Sequence, residues 1–355
     1  MSTQVDTPPE LAGGTFESTL RSQAAKLKAE LIRQTLADVE SWVKAMQHEY
    51  ERLHPDRPND RVIADGSGWV YRSDQYSSGE ARIPDSEIAA YETAIRTQYY
   101  EWVIPAFERY LLPDPDALNP TIDALRTIES SFGGSQDDAQ NYQTSRLALT
   151  RINDVRSDMG HWAGDFQVNF IDNFLTPLQN TVVNQAAAAK MAREVLGLNK
   201  LAYIAQRKAI LQLLDSSIKA LGELSKDKSP SAHTWATLIG ITAGTVLTGF
   251  GVTAWVGIAL ISASTIAQGL SPDPKTETNL AAPTAQEIAV KIADALSAQS
   301  NAVREDEDTV MAMLNTLQSG ISNSRTKLGE LAVPKPNLAT ATPADVTGGH
   351  FRPAH

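Results

Sequence analysis

The stretch IAQRKAILQLLDSSIKAL, residues 204–221, decides the fold. Apolar side chains recur in it every three or four residues, the spacing that keeps them on one face of an α-helix. The same pattern predicts one long helix over residues 178–228, with a seam typical of a coiled coil. A seam of this kind needs a partner helix. The seam of the helix 178–228 consists of Ile204, Leu211, Leu214, Ile218 and Leu221.

A second long helix with a matching seam is predicted from Thr284 to just before Pro334. Two helices of similar length joined by a short connection are expected to pack antiparallel. Three polar residues, Gln299, Asp306 and Ser324, interrupt the second seam. Its apolar members are Ile288, Ile292, Ala295, Val303, Val310, Leu314, Leu317, Ile321, Leu328 and Leu331.

Between the two helices, residues 229–272 contain no Asp, Glu, Lys or Arg. Small residues at four-residue spacing would let two apolar helices approach closely, so we predict a hydrophobic helical hairpin. Each half is short for a membrane-spanning helix, which needs about 20 apolar residues. A membrane-active hairpin, a membrane anchor and a buried helical pair therefore remain open. The residues that characterise the segment are Trp235, Gly240, Gly244, Gly249, Phe250, Gly251, Trp255, Ala259 and Ala263.

The rest of the chain completes an all-α prediction, an elongated helical bundle or coiled coil. Two apolar patches, Val62-Ile63 and Trp69-Val70-Tyr71, predict a short β-hairpin between helices. The segment LLPDPDALNP, residues 111–120, is interpreted as a linker because alternating Pro and Asp favour turns. The predicted divisions are an N-terminal helical region 1–112, a helical domain 113–228, the uncharged hairpin 229–272, a long helix 273–333 packing on 178–228, and a disordered tail 334–355.

The turn Trp162-Ala163-Gly164 is predicted to join two helices. Glycine permits the positive φ angle that such a turn needs. Phe166 and Phe170 follow on one helical stripe, and we expect Trp162 to be buried against them.

These features together resemble the Trp-x-Gly family of type VII secretion substrates. The resemblance covers roughly residues 113–228 and includes the Pro-Asp linker, the Trp162 turn, Asn184-Gln185 and Arg207. It implies a helical protein that acts as an exported partner, carrier or adaptor rather than as an enzyme. It also implies that Trp162, Gly164, Phe166 and Phe170 contribute to recognition by the secretion machinery. In overall organisation, an apolar hairpin between long helices is similar to helical pore-forming toxins.

Composition narrows the function classes. The net charge of −11 disfavours a nucleic-acid partner, because affinity for phosphate comes mainly from clustered Lys and Arg. The absence of cysteine excludes disulfides and thiolate metal sites. No catalytic motif, cofactor loop or metal-ligand spacing is present, so we predict no catalytic residue, no cofactor and no metal. The N-terminal residues lack a basic start and an apolar region, so export without a classical signal or association with the cell envelope is expected.

Three functional hypotheses follow. The first is a non-enzymatic interaction protein with a membrane-active or membrane-anchoring hairpin, whose partners are membrane lipid and another protein or a second copy. The second is a pore-forming effector that inserts the hairpin into target membranes. The third is a soluble scaffold in which the hairpin is part of the core.

Overall fold

The fold is known from a computed structural model. It describes residues 6–37, 46–48, 50–52, 54–56, 60–65, 68–73, 80–132, 135–136, 142–143, 146–162, 164–224, 234–236, 248–249, 262–263, 277–280, 282–327 and 330–332.

Helices dominate the described residues, which confirms the predicted all-α class. The helices are α1 (Gly13–Ala37), α2 (Asp85–Ala94), α3 (Val103–Glu108), α4 (Asn119–Ser131), α5 (Arg146–Asp158), α6 (Asp165–Phe170), α7 (Thr176–Leu224) and α8 (Ala285–Ser324). The strands are β1 (Asp60–Asp65), β2 (Gly68–Ser73), β3 (Glu80–Arg82), β4 (Ser135–Gln136), β5 (Tyr142–Gln143), β6 (Thr234–Ala236), β7 (Thr248–Gly249), β8 (Ser262–Ala263) and β9 (Glu277–Asn279).

The two longest helices, α7 and α8, pack antiparallel, as the sequence predicts. The Thr181 hydroxyl, near the start of α7, donates to the Ala332 carbonyl at 3.0 Å, beyond the end of α8. Midway along the pair, the Tyr203 hydroxyl donates to Glu307 at 3.1 Å. The predicted start of α8 is confirmed because the Thr284 side chain accepts a hydrogen bond from the Glu287 backbone N–H, as an N-cap does.

The main core lies where the second half of α7 meets the first half of α8, α1 and the segment 95–110. Leu213 and Leu214 of α7 and Ile288 of α8 are fully buried there. Burying each large apolar side chain stabilises the fold by about 1.5–3 kcal/mol. The fully buried partners from the N-terminal part are Phe16, Leu20, Ala24, Leu27, Leu31, Ile95, Val103 and Phe107. One core therefore spans residues on both sides of position 112, where the sequence predicts a division.

The predicted linker is a turn packed on α7. Residues Pro115–Leu118 form a 3-10 turn, and the Asp114 carboxylate accepts from the Asp116 backbone N–H at its start. Pro115 is buried. Pro and Asp favour both a solvated linker and a capped turn, so composition alone does not separate the two.

The predicted β-hairpin is confirmed. Strands β1 and β2 pair antiparallel with Ile63 opposite Val70, and β3 adds a third strand beside β2. Val70 is buried. A second, smaller core elsewhere in the N-terminal region consists of Met46, Tyr50, Ile83 and Tyr91, with Ile88 packed against it.

Candidate functional site

The Trp162 turn reverses the chain between α5 and α6. A 3-10 turn, Met159–His161, ends α5, and the Trp162 backbone N–H donates to the Met159 carbonyl at 3.0 Å. Gly164 then has φ 102°, a conformation that side-chain-bearing residues rarely adopt. The expectation that glycine provides a positive φ here is confirmed.

The expected burial of Trp162 is wrong, because its side chain is 55% exposed. Met159, three residues earlier, takes the buried position. Phe170 stacks on Phe174 with ring centroids 5.1 Å apart, while the Phe166 side chain lies outside the described residues. The backbone at Trp162 is extended (φ −90°, ψ 154°), and the residue lies in the turn without being buried there.

Beyond this turn the chain folds back as a helical hairpin. The Arg156 guanidinium at the end of α5 donates to Thr176 and Gln179 of α7 at 3.1 and 3.2 Å. Asn184 and Gln185, which belong to the resemblance, donate from their side-chain amides to the carbonyls of residues 330 and 331. These two amides thus hold residues 330 and 331, which follow α8, against the first part of α7.

The uncharged segment 229–272 connects α7 to α8 in the sequence, and the structure describes strands β6, β7 and β8 within it. Near its base, β6 pairs antiparallel with β9, with Trp235 opposite Thr278. Further along, Gly249 of β7 pairs with Ala263 of β8 in parallel. At these positions the backbone is extended, so the predicted helical hairpin is wrong there. In β6, Thr234 and Trp235 are residues that favour strands. The remaining predicted hairpin residues, Gly240, Gly244, Phe250, Gly251, Trp255 and Ala259, lie outside the described residues.

Among the helices that the structure describes, none combines enough length with enough apolar character to cross a bilayer. The described residues also bring together no group of three or more potential metal-ligating His, Asp or Glu side chains. Asp306, from the acidic run 305–308, is buried on the face of α8 that its seam position predicts, whereas Glu305 and Asp308 are exposed.

A feature that the sequence reasoning missed is a row of buried cations on the first half of α7. Arg193, Lys200 and Arg207 are seven residues apart and therefore share one helix face. Their side chains are 8%, 3% and 3% exposed. Buried cations of this kind need anionic partners, and each has one in the region 114–129. The signal in the sequence was three basic residues at heptad spacing along one helix.

Arg207 binds the turn before α4 and the start of the chain. Its guanidinium donates to the Leu11 carbonyl at 2.7 Å and to the Leu111 carbonyl at 3.1 Å, and it pairs with Asp114 at 3.3 Å. It also lies over the Phe16 ring, 4.6 Å from the centroid. Burial lowers the pKa of Arg207, while Asp114 opposes that shift.

Lys200 occupies the middle of the row. Its ammonium donates to the Asn119 side chain at 2.7 Å and lies 3.0 Å from the Asp116 carboxylate. Asp116 also accepts from the Thr7 hydroxyl at 2.7 Å. The hydrogen bond from Thr7 and the nearby Lys200 hold the pKa of Asp116 below its usual value.

At the third position, Arg193 pairs with Glu129 of α4 at 2.9 Å, and both side chains are buried. The neighbouring Glu194 is also buried, 3.7 Å from Lys190. Burial raises the pKa of Glu194 to about 7, against the opposing effect of Lys190. The row therefore binds the region 114–129 to α7 through charge pairs.

Comparison of the chain with protein families, curated proteins and solved structures finds no match.

Proposed function

We propose that the chain is a non-enzymatic helical interaction protein that acts at a membrane, with residues 229–272 in contact with lipid. The observation that carries this proposal is the composition of the segment together with its position in the sequence. A run without charged side chains connects the antiparallel helices α7 and α8 in the sequence. Strand β6 at the start of this run pairs with β9, which precedes α8.

The packing of the N-terminal helices supports this proposal. The apolar stripes of α1 and of residues 95–110 are already buried against α7 and α8. Those faces are thus committed to the main core. An apolar run of this length is an aggregation liability where it is exposed, unless lipid or protein covers it.

The test is binding of the full-length protein to phosphatidylcholine vesicles with and without phosphatidylglycerol, measured by flotation. We expect the parent to bind and Gly244→Asp or Ala259→Lys to lose binding, because a charge at bilayer depth costs at least about 2.5 kcal/mol. Gln212→Lys, on an exposed position of α7, is the matched control and is expected to bind like the parent.

A parent that never binds vesicles, even after mild acid treatment to loosen the bundle, would contradict the membrane proposal and favour the scaffold. Release of an entrapped dye by bound protein would identify a pore-forming effector. Binding without release would identify an anchor or carrier.

A second candidate function, recognition by a type VII secretion system, is favoured by the exposure of Trp162. Trp162 is 55% exposed on a helix turn, so a partner can reach part of its surface. We expect Trp162→Ala to change the free energy of unfolding by less than about 0.5 kcal/mol, as exposed substitutions do, and to abolish export.

Val168→Ala, a nearby exposed apolar position, is the control for this experiment, and its export is expected to match the parent. Export of Trp162→Ala at the parent level would remove the turn from the recognition surface. Export and thermal unfolding are measured on the same set of variants.

A further inference from the structure

A groove of about 710 Å³ lies between the segment 102–113, α7 and the first half of α8. Pockets for small organic ligands usually have volumes of about 300–1,000 Å³. None of the residues that line the groove belongs to the uncharged segment or to the Trp162 turn.

One wall of the groove is apolar. Trp102, Pro105 and Leu112 line it from the N-terminal side, and Leu296 lines it from α8. The Tyr110 hydroxyl donates to the Leu296 carbonyl at 2.7 Å, which fixes the two sides relative to each other. The cavity is therefore built on packed elements, as a pre-formed ligand site requires.

A buried amide lies in the groove. Gln206 of α7 is only 5% exposed and lines the cavity. Within the part of the chain that the structure describes, its side-chain amide has no hydrogen-bond partner. The amide atoms of Gln206 are not among the fully buried unpartnered polar atoms of the described residues, so they are accessible from the groove, where a ligand or water can bond to them.

Two guanidinium groups also line the groove. Arg109 comes from the N-terminal side and Arg304 from α8, and both are exposed. Neither forms an ion pair with another described residue. Glu307, which accepts from Tyr203, contributes one opposing charge. The groove is thus locally cationic on a chain whose net charge is −11.

We propose that this groove binds a small organic acid with three parts: a carboxylate, an amide or similar polar group, and an apolar body. Arg109 and Arg304 bind the carboxylate, since guanidinium groups form strong charge-assisted hydrogen bonds with carboxylates. The Gln206 amide bonds to the polar group. The apolar body packs against Trp102 and its neighbours. The site is independent of the proposed membrane function.

The probe is N-octanoylglycine, titrated into the full-length protein by isothermal calorimetry. Octanoate, which lacks the amide, and N-octylacetamide, which lacks the carboxylate, are the comparison ligands. We expect saturable binding of one N-octanoylglycine per chain and weaker binding of each comparison ligand.

Variants assign the contacts. The double variant Arg109→Gln/Arg304→Gln should weaken N-octanoylglycine binding about tenfold or more. Gln206→Leu should weaken it several-fold and leave octanoate binding unchanged. Arg325→Gln removes an exposed arginine outside the groove and is the matched charge control, with affinity expected at the parent value.

Absence of saturable binding by the parent would overturn the proposal, as would binding that is unaffected by loss of both groove arginines. An equal loss in Arg325→Gln would show a general charge effect and would also overturn it. Equal loss of octanoate and N-octanoylglycine binding in Gln206→Leu would overturn the role of the amide.

Discussion

The two halves of α7 are buried by different means. From Ala209 to Leu221 the helix packs into an apolar core shared by α1, the segment 95–110 and α8. From Arg193 to Arg207 its buried face carries cations, each paired with a carboxylate from residues 114–129. The apolar contacts of this half form only a small cluster with α8, made of Val195, Leu198, Ala202, Val310 and Met313.

The two kinds of contact have different roles, because one stabilises the fold and the other fixes the position of the packed segment. An apolar interface tolerates exchanges that conserve volume, so it stabilises without fixing one alignment. A buried cation requires a carboxylate at one place, and replacing such pairs by apolar residues is often neutral. We therefore interpret the second half of α7 as the main source of stability. The first half fixes where the region 114–129 docks.

The largest effect is expected in the apolar half. Leu214→Asp places a charge at a fully buried position and should lower the free energy of unfolding by about 4 kcal/mol or more. Leu317→Asp, on α8 at a half-buried seam position, should lose clearly less, because water can reach the new carboxylate. Urea unfolding followed by circular dichroism measures the free energy of unfolding of both variants. Equal losses would contradict the expected difference between the fully buried and the half-buried position.

The next effect tests the charge-paired half. Glu129→Leu leaves Arg193 buried without its carboxylate and should lower the free energy of unfolding by about 3–5 kcal/mol. The double variant Glu129→Leu/Arg193→Met removes both charges and should recover to within about 1 kcal/mol of the parent. If the double variant is as unstable as the single one, the pair contributes net stability rather than position.

The smallest effect is a pH dependence of the same half. The pKa of Glu194 is raised from 4.5 to about 7, so the native state keeps a proton that the unfolded state loses. The free energy of unfolding should therefore fall as pH rises from about 4.5 to 7, by up to about 3 kcal/mol. Glu194→Gln should remove this fall, and denaturation at a series of pH values measures it. A parent with no decline over that range would contradict the assignment.

Much of the bundle could be predicted because the apolar residues of its long helices recur at a regular helical spacing. The seam of α7 that contains Leu214, and the partner seam that contains Ile288, are read directly from residue spacing. The N-cap at Thr284 and the β1–β2 hairpin are likewise local patterns. Such features depend on residues near one another in the chain.

The rest depends on partners that are distant in sequence. The spacing of Arg193, Lys200 and Arg207 indicates a shared face, but only the fold shows that carboxylates from residues 114–129 meet it. The exposure of Trp162 depends on the direction of one extended residue, which spacing does not encode. The groove arginines, Arg109 and Arg304, line the same groove only because segments far apart in the chain pack side by side.

The length of α7 also separates the groups at its two ends. At a rise of about 1.5 Å per residue, α7 extends on the order of 70 Å. The Trp162 turn precedes one end of this helix, and the uncharged segment follows the other. The two ends of α7 are separated by several times the Debye length in physiological salt, so charges at one end are screened from charges at the other.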